Sequence, residues 1–117
     1  MSVDSSLQGS WTVTAYRSGD HMVFPDDRVE ANLVIDGDVM AGTMGVNRFT
    51  GRIGDGLPLG ALAMTRMAGP AELMTQEDLL LEHLQNADAV DVVDDGMFVR
   101  RDGLLLVELE RRGTDIA

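Results

Sequence analysis

The sequence predicts a mostly β fold with one helix: a curved antiparallel meander sheet, or incomplete β-barrel, of about seven or eight strands closed by one amphipathic helix. Three observations predict it. Asp-Gly pairs recur at Asp36-Gly37, Asp55-Gly56, Asp95-Gly96 and Asp102-Gly103. Asp-Gly between apolar runs is a strong hairpin signal, because both residues tolerate positive φ. Apolar and polar residues alternate between those pairs, which is the period of a strand. Only after Pro70 does the apolar spacing lengthen to that of a helix.

Taken in order, Trp11, Val13 and Ala15 alternate with Thr12, Thr14 and Tyr16 in a first strand that leaves toward Ser18-Gly19-Asp20. Ala31, Leu33 and Ile35 alternate into Asp36-Gly37, and Val39 to Met44 returns from it. Phe49 to Ile53 follows a corner at Gly45-Val46-Asn47-Arg48. Leu57 to Thr65 is apolar but interrupted by Pro58 and Gly60, the pattern of a short or edge strand. From Ala71 to Gln85, Leu73, Met74, Leu80, Leu81 and Leu84 recur at helical spacing, with Pro70 suited to the first turn and Thr75 with Asp78 a weaker, later start. Ala89 to Val93, Met97 to Arg101 and Leu104 to Glu110 then read as three strands paired in chain order. The polar tail from Arg111 is expected to fray.

One domain over residues 1–117, with its ordered core at about residues 7–110, suits this length and an apolar fraction of 44%. The net charge is −11, from twenty acids against nine arginines and no lysine. Phosphate backbones are bound by neutralising cations, so nucleic acid is excluded as a main ligand, whereas basic proteins and divalent cations stay compatible with this surface. Equally, the acids serve solubility. Cysteine is absent, which removes disulfides, thiolate nucleophiles and Cys-ligated metals. No stretch is apolar enough to span a bilayer. A cytoplasmic protein is expected, or an exported or envelope-attached mature domain whose signal is not part of this sequence.

Several segments carry a family resemblance. Gly42-Thr-Met-Gly-Val-Asn-Arg-Phe-Thr-Gly51 resembles the Gly-x-x-Gly-Cys-Asn-Arg-(aromatic)-x-Gly signature of META domains, the family that includes the heat-shock protein HslJ. Leu7-x-Gly9-x-Trp11 resembles the family's opening motif, Thr65-Arg66-Met67-Ala68 its central motif and Glu77 its helix acid, all in the family's order and over nearly the whole chain. The resemblance implies a strongly curved sheet closed by one helix, similar to lipid-binding pilot proteins of secretion systems. Many relatives are envelope lipoproteins linked to stress or antibiotic tolerance, with no established molecular activity. Val46 and Gly69 stand where the family's two cysteines lie, so any role of that pair is lost here, as fits a reducing setting.

The candidate functional residues fall at corners of the expected sheet. Asn47 and Arg48, among Gly42, Gly45 and Gly51, form either a polar ligand-contact edge or a left-handed turn that bonds its own backbone. Thr65 and Arg66 lie between Met64 and Met67. Methionine is adaptable, so the eight methionines line an apolar pocket or fill a core that has few aromatic residues. Glu77 shares a helical face with Leu73, Leu80 and Leu84, and an inward acid must be paired or protonated; Arg48 or Arg66 is the expected partner. His21, near Asp20, Asp26 and Asp27, and His83, on the flank away from the leucines, match no metal motif. Asp88, Asp91, Asp94 and Asp95 would be scattered over two faces of a strand and its turn.

These readings lead to a non-enzymatic domain of unestablished activity, with no catalytic residue, cofactor or resident metal. Its expected partner is an apolar small molecule or lipid chain, contacted by Asn47, Arg48, Met64, Thr65, Arg66 and Met67, in a role linked to stress tolerance. The alternative is a protein-interaction or assembly module that uses an exposed sheet edge or the acidic face. Glu77 as an acid or base is the third reading.

Overall fold

The structure is a computed structural model that describes residues 5–54 and 57–112. A single 3-10 turn at Ser5–Leu7 leads into β1 (Gly9–Ser18), β2 (His21–Val23), β3 (Asn32–Asp36), β4 (Val39–Thr43), β5 (Arg48–Arg52) and β6 (Leu62–Met64). The helix α1 (Ala71–Asn86) separates these from β7 (Ala89–Val93), β8 (Gly96–Arg101) and β9 (Leu104–Arg111). All strands join one antiparallel sheet in the order β6-β5-β4-β3-β1-β9-β8-β7, with β2 on β1. Nine strands form where seven or eight are expected, and the sheet does not close into a barrel. β6 and β7 are its ends.

The additional strand is β2. His21 lies in it, paired with Ser18 across the Gly19-Asp20 link. A segment of three residues is too short to show a period. β1 also departs from simple alternation: its register against β9 shifts between Val13 and Ala15. That bulge brings Tyr16, and not Ala15, to the buried side after Trp11 and Val13. A second shift, between Val99 and Arg100, lies where the adjacent Leu106 and Val107 of β9 are both buried.

Hairpin chemistry operates one residue away from two of the Asp-Gly pairs. β3 and β4 are linked by Gly37-Asp38, with Gly37 at φ 64°. β7 and β8 are linked by Asp94-Asp95, with Asp94 at φ 54° and Gly96 already in β8. Asp102-Gly103 does form the β8–β9 link, both residues at positive φ, as a two-residue hairpin requires. Asp55-Gly56 lies outside the described residues.

Apolar residues at helical spacing turn Leu73, Leu80, Leu81 and Leu84 of α1 onto the sheet, each burial worth about 1.5–3 kcal/mol. Pro70 precedes the helix, and its carbonyl accepts from the Leu73 and Met74 amides, so Thr75 is not the start. Met40, Met44 and Met97 are fully buried among Trp11, Leu33, Val99 and Val107, so these three methionines fill the core. The chain does not fray from Arg111, which is the last residue of β9. The Arg111 guanidinium stacks on the Trp11 ring 4.2 Å from its centroid and donates to the Gln8 and Ser6 carbonyls. The rest of the tail, 113–117, lies outside the described residues.

Candidate functional site

Where β4 turns into β5, the chain runs hard against α1. A Cβ on Gly45 would stand 2.4 Å from the Leu73 carbonyl oxygen and 3.0 Å from Glu77 Cβ, so only glycine lets the corner seat on the helix. That approach leaves backbone amides facing the helix in a water-poor place, where each needs an acceptor.

Two neighbouring helix side chains supply partners, Glu77 as acceptor and Gln76 as donor to the corner. Glu77 Oε1 accepts from the Val46 amide at 2.9 Å and the Asn47 amide at 2.5 Å, and Glu77 Oε2 accepts from Asn47 Nδ2 at 3.0 Å. Gln76 donates to the Met44 carbonyl at 2.9 Å, while its own oxygen accepts from the Asp26 amide at 2.7 Å. Three N–H donors converge on the Glu77 carboxylate, which is 1% exposed. Neither Arg48 nor Arg66 pairs with it, contrary to expectation. Backbone and amide dipoles take the place of a cation, because the glycine corner brings them closer to the helix than a long side chain could reach.

Asn47, 3% exposed, uses the remainder of its side chain on the segment after β6. Its Oδ1 accepts from Thr65 Oγ1 at 2.9 Å and the Met67 amide at 2.6 Å, and its Nδ2 also donates to the Met67 carbonyl at 3.2 Å. Thr65 Oγ1 in turn accepts from the Arg48 amide at 3.0 Å. Asn47 therefore does not take a left-handed turn or bond its own neighbourhood; it is absent from the positive-φ residues and its side-chain partners lie 18 to 30 positions away. One amide side chain ties the β4–β5 corner, the 65–67 segment and α1 together.

Above this network lies an open cleft of about 370 Å³, lined by Asn47, Met64, Thr65, Arg66 and Met67 together with Ala68, Met74, Glu77 and the exposed Asp78. Five of the six expected ligand-contact residues thus meet. Arg48 does not: it lines a separate depression on the outer face of the sheet, beside Val34 and Phe49. Met67 is 54% exposed and Met64 and Met74 are half-buried, so three thioethers border the cleft. Among the described residues the side chains of Arg48 and Arg66 have no hydrogen-bond or ion-pair partner, whereas Arg28, Arg52, Arg100 and Arg112 pair with acids.

The chain is a member of the META domain family. The family model matches residues 5–112, which spans every element of this META domain. A protein from Burkholderia xenovorans solved by NMR has the same fold: TM-score 0.73, 22% identity, 92% of this chain and 85% of that chain covered. No curated protein matches the sequence. The two positions that carry cysteine in the family motif meet in space, for a Cβ on Gly69 would stand 3.4 Å from Val46 Cβ and only 2.6 Å from its Cγ2. Here the valine methyls occupy the space left by the glycine.

Among the remaining titratable candidates, His83, Asp88, Asp91 and Asp95 have structural partners. His83 is half-buried and not solvated: its Nε2 donates to the Arg17 carbonyl at 2.8 Å. Asp88 accepts from the Asp102 amide, Asp91 pairs with Arg100, and Asp95 lies near Arg111. No three His, Asp or Glu side chains converge among the described residues. No helix among them is long and apolar enough to cross a membrane. Sequence reasoning missed Gln76, whose type gives no signal of burial, and the role of Met74, whose place at the rim of the leucine stripe was legible.

Proposed function

We propose that this META domain is a non-catalytic binding domain that holds an apolar chain, from a small molecule or lipid, in the cleft bordered by Met64, Met67 and Met74. The observation that carries the reading is the exposure of Met67 above a rigid floor. An unbranched thioether adapts to varied apolar surfaces, and the Asn47 bonds to both Met67 backbone groups fix the point from which it works. Arg66, without a partner among the described residues, supplies a cation at the rim for a polar or anionic head. Glu77 supports the binding reading over an acid or base role, since both its oxygens are engaged and it is 1% exposed.

Titration calorimetry with decanoate, an apolar chain with an anionic head, tests the proposal. The wild-type domain should bind, and Met67→Glu should weaken binding at least about tenfold, which is 1.4 kcal/mol. Equal binding by the variant would remove the cleft from consideration.

The outer side of β7 favours a second reading as an interaction module. No described strand pairs with it, and alternate residues of β7 turn their N–H and C=O groups outward. Asp91 on β7 and Asp94 beside it would meet a second copy with like charge but suit a basic extended segment. Isotope-edited spectra showing β7 amides protected by an arginine-rich peptide would support this reading; unaltered β7 amides would remove it.

A further inference from the structure

We infer that Met67 is a reversible oxidation site through which a hydroperoxide turns the cleft from apolar to polar; the consequence for binding rests on the function proposed above. The described methionines run from buried, through the half-buried Met22, Met64 and Met74, to the exposed Met67. Met40, Met44 and Met97 are at most 1% exposed inside the core, whereas Met67 is 54% exposed and borders the cleft with the half-buried Met64 and Met74. Reaction with a peroxide follows exposure of sulfur. The chain has no cysteine, so no thiol competes and thioethers are the sulfur that reacts.

The step balances without another reactant. A lone pair on Met67 Sδ attacks one oxygen of the hydroperoxide, the O–O bond breaks, and an S–O bond forms. Sulfur is oxidised by two electrons, and the peroxide leaves as an alcohol, or as water from hydrogen peroxide, carrying the proton. The product is a polar sulfoxide where an apolar thioether stood.

Two features make the cleft responsive to that change. The Met67 amide and carbonyl are both held by Asn47, at 2.6 and 3.2 Å, so the residue cannot swing its backbone away to expose a different surface. Arg66 lines the same cleft with no partner among the described residues, and offers N–H donors to a sulfoxide oxygen. The new oxygen thereby engages the cation that the reduced cleft offers to a ligand head. Reduction by methionine sulfoxide reductase would reverse the change.

The test oxidises the folded protein with graded hydrogen peroxide, locates sulfoxides by peptide mass spectrometry, and measures decanoate binding at the dose that converts Met67. Met67 should react at least about tenfold faster than Met40, Met44 and Met97, as exposure dictates. Decanoate affinity should then fall about tenfold, a change of 1.4 kcal/mol, and recover with the reductase. Met67→Leu, whatever its own affinity, should bind decanoate equally before and after the same dose. Met67 reacting no faster than the core methionines overturns the inference, as does undiminished binding after its oxidation. Failure of the reduced protein to bind decanoate overturns the binding function itself and the gating with it.

Discussion

Glu77 and Asn47 are joined twice: the Glu77 carboxylate accepts from the Asn47 main-chain amide through one oxygen and from the Asn47 side-chain amide through the other. A helix and a sheet corner 30 positions apart are thereby locked, and the cleft stands on that lock. Asn47→Ala would leave Glu77 Oε2, Thr65 and both Met67 backbone groups short of a partner. Orphaning one buried carboxylate oxygen and several part-buried groups predicts a loss of about 2–4 kcal/mol, against about 0.5 kcal/mol or less for the exposed Arg48→Ala. Urea unfolding followed by Trp11 fluorescence measures both.

The contact between Val46 and Gly69 predicts opposite outcomes for one and two substitutions. Gly69→Ala places its Cβ 2.6 Å from Val46 Cγ2 and should destabilise. Val46→Cys with Gly69→Cys removes both obstructing methyls and leaves Cβ atoms 3.4 Å apart, about 0.1 Å below the usual disulfide range. Under oxidant the pair should close and raise stability by about 3 kcal/mol on the loop-entropy model for the enclosed span. Thiol counting and thermal unfolding with and without reductant check this.

Tyr16 is the sole tyrosine and an optical reporter of its own site. Burial, and secondly the negative charge of Asp26, raise its phenol above the ordinary 10.0. The neutral phenol is therefore favoured by folding. Its contribution to stability is complete below pH 10 and is lost as pH rises through the higher native value. Phenolate absorbance should titrate above the free value in the native protein, and Asp26→Asn should lower the midpoint only partly, since burial is the larger cause.

Arg111 holds the end of β9 to the start of β1 through Trp11, Gln8 and Ser6. Arg111→Ala should cost about 1–3 kcal/mol through lost stacking on Trp11 and the lost bond to the part-buried Gln8 carbonyl. Arg111→Lys should not rescue it, because an ammonium lacks the planar fork that stacks and donates at once. Chemical unfolding of the two variants compares them directly.

How far the sequence could be read follows from which interactions are local. Leucine spacing after Pro70 and the alternation around Leu33, Ile35 and Leu109 record burial face by face, and each of those elements formed within a residue or two of its expected bounds. The β1 bulge and the one-residue shift of two hairpins are decided by pairing across strands, which spacing along the chain does not encode. The candidate site was legible in part. Asn47, Thr65, Arg66 and both flanking methionines converge as expected, but the partner of Glu77 did not follow from charge. Two of its three donors are main-chain amides, which composition does not single out, and the third is the Asn47 side chain; the accompanying sign was Gly45, whose missing side chain permits the approach.

Methyl NMR of the domain labelled at methionine methyls tests the central claim most directly, because the residues that border the cleft and those that fill the core report separately in one spectrum. Addition of decanoate should shift the Met64, Met67 and Met74 methyls in a saturable way and leave Met40, Met44 and Met97 in place. Saturable shifts confined to the core methionines, or none at any methionine, would contradict a binding cleft at Met67.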